Sequence, residues 1–247
     1  MMRVGIFSDV HANLEALQAV LSAYQKAEID RYICLGDIVG YGANPNECCQ
    51  LVRDLTDLVV LGNHDAACSG RMSTGWFNSA ARAAVEEHQH MLDAAHRKWL
   101  AQLPYRIEFG DMLLCHGSPY QSEQFPYIVD ETDVEAILRH LSVCQPLIFV
   151  GHTHQGTAFV CRQQPAQRIW QDTRQRIHIS PDHAYFFNVG SVGQPRDGDW
   201  RPSYAILDTE ARTFELQRTE YDVDTASEKI ARLGFPLTLS ERLFLGL

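Results

Sequence analysis

No stretch of this chain approaches the ~20 consecutive apolar residues that a membrane helix requires. Its first apolar run stops at Phe7, with no basic segment leading into a long hydrophobic one. Those absences lead us to expect a cytoplasmic protein with no membrane partner. Basic charge is scarce as well: 21 Lys and Arg stand against 31 Asp and Glu, a formal net charge of −10. A general grip on nucleic acid backbone needs a basic surface, so none is expected. A nuclease stays conceivable only because bound divalent cations supply positive charge locally. The seven cysteines (Cys34, Cys48, Cys49, Cys68, Cys115, Cys144 and Cys161) contain no C-x-x-C pair and no framework spacing. They read mostly as small buried hydrophobes in a reducing compartment. No fixed-period repeat, low-complexity tract or linker divides the 247 residues, a length that α/β architectures fill as one unit. We therefore expect a single domain over residues 1–247. Hydrophobic residues at 45% and charged residues at 21% set disorder and collagen-like structure aside.

What the sequence does have is a series of short apolar runs: "RVGIF" (3–7), "RYICL" (31–35), "LVVL" (58–61), "MLLC" (112–115) and "LIFV" (147–150). Continuous runs of this length suit strands buried on both faces. Helical patterns lie between them. Leu14, Leu17, Val20, Leu21 and Tyr24 form an apolar stripe. Asn44, Pro45 and Glu47 read as a cap, a first-turn proline and a capping carboxylate, and "TDVE" (132–135) repeats the capping signal. Residues 77–102 fit one long helix or two shorter ones. From Thr157 onward strand-like segments dominate ("TAFVC", "RIHI", "AYFFNV", "SYAILD", "TFELQR"), until a helical pattern returns at 223–233. The first part thus reads as strand-helix units and the second as a mostly antiparallel set, together one two-sheet domain. The polar segment 162–176 reads as a hairpin or cap loop, either a solvated connection or a flap presenting Trp170 and an arginine to substrate.

Each buried run ends in polar residues of metal-ligand type. Asp9 and His11 follow the first, Asp37 the second, Asn63, His64 and Asp65 the third, His116 the fourth, and His152 and His154 the fifth. Glycine stands directly before the polar residue at 36, 62 and 151, where it permits a tight turn and close backbone approach. Ligand sites in α/β sheets collect at the carboxyl ends of strands, so these residues converge if the strands lie side by side. One such pair is an ordinary cap or turn; five in order are not.

The order D-x-H, G-D, G-N-H-D, H-G, G-H-T-H, spanning Asp9 to His154, resembles the calcineurin-like metallophosphoesterase superfamily, in its small bacterial and archaeal phosphodiesterase-like branch. The resemblance implies an α/β (α+β) fold, a four-layer αββα sandwich of two mixed sheets flanked by helices, and a dinuclear metal centre. It implies one metal held by Asp9, His11, Asp37 and His154, and another held by Asp37, Asn63, His116 and His152, with Asp37 bridging. Donor chemistry agrees: imidazole, carboxylate and amide ligands suit two divalent transition metals, manganese foremost, with iron, zinc, cobalt or nickel as alternatives. A shared carboxylate holds two cations ~3.5–4 Å apart, the spacing used for in-line displacement at phosphorus. A hydroxide bridging the two metals would attack, and His64, left out of the ligand count, would protonate the leaving oxygen.

The protein serine/threonine phosphatase branch carries G-D-x-V-D-R-G, whereas this chain reads "GDIVGYG". Gly40 and Tyr41 supply neither the orienting aspartate nor the phosphate-gripping arginine of that motif. Asp65 is the candidate to orient His64, with a turn or helix cap as its alternative. Tyr41 offers a hydroxyl or aromatic face to substrate, or simply packs. A further likeness to the same small branch lies in "NVGSVGQPRDGDWRPSYAILD" (188–208), where Arg196 is the candidate phosphate contact, its guanidinium matching phosphate oxygens. The alternative pairs it with Asp197 or Asp199. Asn188 reads as a cap or turn residue, Trp76 and Phe77 as core or helix-entry residues or as lining the cleft, and His88, His90, His96, His140, His178 and His183 receive no metal.

The expected catalytic residues are therefore His64, Asp65 and Arg196, and the substrate-binding ones Asn63, His64, Tyr41 and Arg196. The expected partner is a small-molecule phosphate ester, hydrolysed as a phosphodiester or nucleotide-like substrate. A phosphomonoesterase, a protein Ser/Thr phosphatase, a dinucleoside polyphosphate hydrolase, or an inactive binding scaffold of the same fold are the competing readings.

Overall fold

The computed structural model describes residues 2–141, 146–162 and 168–247. Cys144 and residues 163–167 of the 162–176 segment lie outside the described residues. Two mixed sheets face each other. The first runs β2 (Arg31–Cys34), β1 (Arg3–Phe7), β10 (Ser203–Asp208), β11 (Thr213–Arg218) and β8 (Arg176–His178), with β1 and β2 parallel and the other pairs antiparallel. The second runs β3 (Arg106–Phe109), β4 (Met112–Cys115), β5 (Leu147–Val150), β9 (His183–Val189), β6 (Gly156–Arg162) and β7 (Arg168–Asp172); β4, β5 and β9 are mutually parallel.

The continuous apolar runs are explained by layers on both sides of each sheet. Along β4 and β5, Met112, Leu114, Leu147 and Phe149 turn inward to meet Val4, Ile6, Ala205 and Leu207 of the facing sheet. Their neighbours Leu113, Cys115, Ile148 and Val150 turn outward onto Val134 and Ile137 of α6 (Glu131–His140). On the other side of the molecule, Phe7, Cys34, Tyr204 and Ile206 pack under α1 (Leu14–Lys26) and α2 (Pro45–Leu55). The order helix, sheet, sheet, helix is the four-layer sandwich that the motifs imply. In its centre Phe187 stacks on Phe149 and Phe214, with ring centroids 5.4 and 4.0 Å apart. Burying each such ring contributes about 1.5–3 kcal/mol.

Some local expectations need correction and others are decided between their alternatives. The run 58–61 forms no strand: Val59 makes only an isolated parallel bridge to Cys34, because Leu61 already donates to the Pro104 carbonyl and the chain enters α3 (Asn63–Cys68) at once. Residues 77–102 form two helices, α4 (Ser79–Met91) and α5 (Ala94–Leu100). The cap of α6 is Asp130, whose carboxylate accepts from Thr132 and Asp133, rather than Thr132 itself. Asn44 starts α2 without a side-chain cap bond and donates instead to Glu47 Oε1. Of the segment 162–176, the described residues place β7 antiparallel to β6, and Trp170 packs edge-on to His183 and against the inter-sheet core rather than facing substrate. Helices α7 (Val223–Arg232) and α8 (Leu237–Glu241) close the chain. The six cysteines among the described residues are buried and unpaired.

Candidate metal centre

The ligand-type residues do not come from neighbouring strands of one sheet. Asp9 and Asp37 follow β1 and β2 of the first sheet, and His116, His152 and His154 follow β4 and β5 of the second. They meet because the parallel strands of both sheets end at the same edge of the sandwich. Backbone bonds stitch the two sets of turns: Gly193 donates to the Asp9 carbonyl at 2.8 Å and Gly151 to the His116 carbonyl at 2.9 Å. His152 N–H donates across to Asp9 Oδ2 at 3.0 Å.

These turns are tight. Asp9, His11, Asp37, His152 and His154 all have φ between 48° and 68°. That left-handed region is uncommon for residues with a side chain, and such backbones cluster at functional sites. Close approach explains Gly62: a Cβ there would lie 2.0 Å from Asp37 Oδ1.

Each carboxylate is half committed. Asp9 Oδ2 accepts from His152 N–H, and Asp37 Oδ1 accepts from His64 N–H at 2.8 Å. The remaining oxygens face imidazoles. Asp9 Oδ1 lies 3.3 Å from His154 Nε2, and Asp37 Oδ2 lies 3.2 Å from His116 Nε2 and 3.7 Å from His11 Nε2. The imidazoles are oriented from behind. Nδ1 of His11, His116 and His154 lies 2.9, 2.7 and 2.6 Å from the carbonyls of Val39, Leu35 and Gln194. A carbonyl only accepts, so each Nδ1 carries a hydrogen and each Nε2 faces inward, where in the neutral ring it offers the lone pair that metal-binding histidines use. Nε2 of His11 and His154 are 3.1 Å apart, two lone pairs that a cation would reconcile.

Three three-residue groups result among the described residues: the outer two, Asp9 with His11 and His154, and Asp37 with His116 and His152, are joined by a third, His11 with Asp37 and His64, the donor atoms of each lying within 4.8 Å of one another. Asp37 borders both. Buried Asp9 Oδ1, His116 Nε2 and Asn63 Oδ1 have no hydrogen-bond partner. Unsatisfied buried polar atoms are costly, and a pair of cations would satisfy these, so the donor set fits the implied metals.

Electrostatics agree. Burial alone pushes the Asp9 and Asp37 carboxyls up, but the facing imidazoles, His154 and His116 for Asp9 and His116 and His64 for Asp37, outweigh it and hold both below the usual carboxylate range. Burial draws His152 down to about 3, and draws His154 and His64 well below the usual imidazole range. His116 is the exception: burial draws it down, yet Asp37 and Asp9 outweigh this and raise it to about 9.

His64 stands beside this cluster with its ring edge-on to Phe77 (4.7 Å) and against Tyr41 (4.5 Å). Its Nδ1 has no partner. The expectation that Asp65 orients it is wrong: Asp65 Oδ1 accepts from Ile38 and Val39 N–H at 2.9 and 3.2 Å, and Oδ2 from Gly62 N–H at 3.2 Å. Asp65 braces the loop behind Asp37, the cap alternative. Gly40 also has a reason: a Cβ there would lie 2.2 Å from His64 Nδ1.

Arg196 is free of the aspartates beside it. Asp197 pairs with Arg218 and Asp199 with Arg201, while the Arg196 guanidinium reaches the Tyr41 hydroxyl (3.3 Å) and Gln194 Oε1 (3.0 Å). Arg196, Tyr41, Asn63, His64 and His152 border a common open cleft of about 220 Å³. Asn188 donates to the Gly151 carbonyl and Thr153 Oγ1, fixing the turn that carries His152.

Sequence reasoning missed three residues. His88 Nδ1 accepts from Gly40 N–H at 3.0 Å and its Nε2 lies 2.9 Å from the Gly42 carbonyl, so it clamps the loop presenting Tyr41. The spacing Ala81, Ala84, Val85, His88 on the buried face of α4 was the available signal. Gln194 links His154 to Arg196, and Tyr127 stacks on His152 at 3.9 Å; neither carried a readable signal. Trp76 and Phe77 both border the cleft, the alternative to a core or helix-entry place, and Trp76 is 87% exposed there.

Comparison with known proteins gives a concordant picture. The model of the calcineurin-like phosphoesterase superfamily domain matches residues 2–212. The uncharacterized protein MJ0912 of Methanocaldococcus jannaschii is 39% identical over 247 residues, covering 98% of both chains. A metallophosphoesterase from Sphaerobacter thermophilus shares 38% identity and a TM-score of 0.84, with 100% of each chain covered. The hypothetical protein PH1004 from Pyrococcus horikoshii OT3, at 19% identity, has a TM-score of 0.79 over 100% of this chain and 99% of its own, a likeness of fold alone.

Proposed function

This chain belongs to the calcineurin-like phosphoesterase superfamily, and from that premise we propose that it is a dinuclear metal-dependent phosphoesterase acting on phosphodiester or nucleotide-like esters. The observation that carries the reading is Asp37, whose free oxygen faces His116 of one donor group and His11 of the other. When bound, two divalent cations would activate a water and neutralise charge on the phosphate. Asp9, His11, Asp37 and His154 would hold one, and Asp37, Asn63, His116 and His152 the other. Nitrogen and oxygen donors without thiolate favour manganese, iron, zinc, cobalt or nickel.

The chain's own groups do the rest. The committed oxygens of Asp9 and Asp37 and the carbonyl-bound Nδ1 atoms keep the donors from rotating away. The Arg196 guanidinium, backed by Tyr41 and Gln194, takes a non-bridging phosphate oxygen. His64 delivers a proton to the departing oxygen. Burial disfavours its charged form, and the negative charge of a bound phosphate ester would favour it.

A phosphomonoesterase is the second reading, favoured by the unpartnered Nε of Arg196, since a monoester has one more anionic oxygen to hold. Metal-stripped protein, assayed on bis(p-nitrophenyl) phosphate and on p-nitrophenyl phosphate before and after adding Mn²⁺, decides between them. Diester cleavage restored by metal is the expected result, and preference for the monoester would establish the second reading. No cleavage of either with two metals bound would point to the inactive scaffold.

A further inference from the structure

Trp76 and Tyr127 are 87% and 53% exposed, yet both border the cleft that holds His64, His152 and Arg196. Large aromatics left in solvent beside a functional cleft are informative, because a ligand is what would bury them. Neither is loosely held. Trp76 ends the turn Thr74–Trp76, where the Arg82 guanidinium donates to the carbonyls of Thr74, Gly75 and Phe77 at 3.2, 3.2 and 3.3 Å. Ser73 Oγ accepts from Gly75 N–H at the start of the same turn. Tyr127 lies nearly parallel to the His152 imidazole, 8° between planes, so one ring face is covered and the other remains for a ligand.

We infer that Trp76 and Tyr127 form a stacking platform for the nucleobase of a nucleotide-type phosphoester whose phosphate lies at the donor cluster. The inference rests on the phosphoesterase reading and adds the class of group that the phosphate carries. Every base presents a π-face, so stacking on rigid aromatics is a general way to hold one. The remainder of the rim suits an uncharged base. Among the described residues bordering the cleft, Arg196 is the only Lys, Arg, Asp or Glu, and the side-chain amides of Asn78 and Gln124 stand where base edges need donors and acceptors.

The test titrates the full chain, supplied with Mn²⁺, with adenosine 5′-monophosphate and with ribose 5-phosphate, which share sugar and phosphate and differ in the base. Affinities are read by calorimetry, and approach to Trp76 by fluorescence quenching. The nucleotide should bind about tenfold tighter or more. That preference should collapse in Trp76→Ala, shrink in Tyr127→Ala and largely persist in Trp76→Phe. Equal affinities in the unaltered protein, no binding of either ligand, or a preference untouched in both alanine variants would overturn the inference. Hydrolysis of bis(p-nitrophenyl) phosphate and of p-nitrophenyl phosphate by the same preparations separates the two ideas. A base preference without hydrolysis removes the phosphoesterase reading, and hydrolysis without a base preference removes the platform.

Discussion

On the floor of the cleft, His11, His116 and His154 each have Nδ1 within 2.9 Å of a backbone carbonyl, and both carboxylates are pinned by a backbone N–H. On the rim, the Arg196 guanidinium is tied to other side chains, Tyr41 and Gln194, and Trp76 stands in solvent on its braced turn. The floor is therefore set by the fold's own main chain, and the rim by contacts that a few substitutions change without disturbing it. On the proposed function, reaction chemistry would belong to the first region and choice of substrate to the second.

The sharpest way to break this division is Asp37→Ala, which removes the carboxylate facing both donor groups. Metal content should fall from two per chain to one or fewer by plasma mass spectrometry, and hydrolysis should drop by roughly 10³-fold or more, because charge neutralisation by the metals supplies several kcal/mol. His64→Ala also acts at the floor but leaves the ligands alone. Metal content should stay at two while kcat falls about 10²-fold or more, with a smaller loss on p-nitrophenyl esters than on an alkyl leaving group. On the rim, Arg196→Ala should keep both metals and raise KM by about 10–100-fold, the weight of a hydrogen bond to a charged group. A change in its metal content would erase the distinction between the regions.

Acidity sharpens the comparison in smaller steps. Burial lowers the affinity of His116 for a proton, but Asp37 and Asp9 outweigh it and raise its pKa to about 9. Below that pH a proton competes with the cation for Nε2, so Mn²⁺ affinity should weaken as pH falls, by up to about tenfold per unit. Chelator competition at pH 7, 8 and 9 reads this directly, and an affinity unchanged across the three would contradict it. The mildest change is His88→Ala, which strands the buried Gly40 N–H and Gly42 carbonyl. Urea unfolding should show a loss of about 1–3 kcal/mol for each stranded group.

The floor was largely readable from the sequence because its logic is local. A run such as "MLLC", buried on both faces, has no packing reason to end in His116, so the polar residue announces itself. The rim and the supports are products of tertiary placement. Nothing near Tyr127 in the chain says that it will lie on His152, and Trp76 stays divided between core, helix entry and cleft lining until its exposure is seen. Asp65 misled because adjacency to His64 in sequence suggested contact, whereas its place near the start of α3 turns the carboxylate toward the backbone of residues 38, 39 and 62. The edge strands β3 and β7 alternate or mix polar residues and gave no continuous apolar signal. The run at 58–61 gave that signal without becoming a strand, since burial and not pairing is what an apolar run reports.

The central claim is that Asp37 is shared between two cations. Electron paramagnetic resonance of the chain loaded with Mn²⁺ tests it most directly. Two manganese ions per chain with the spectrum of a magnetically coupled pair are expected, with loss of that coupling in Asp37→Ala. A single ion per chain, or two ions giving the uncoupled six-line pattern in the unaltered protein, would contradict it.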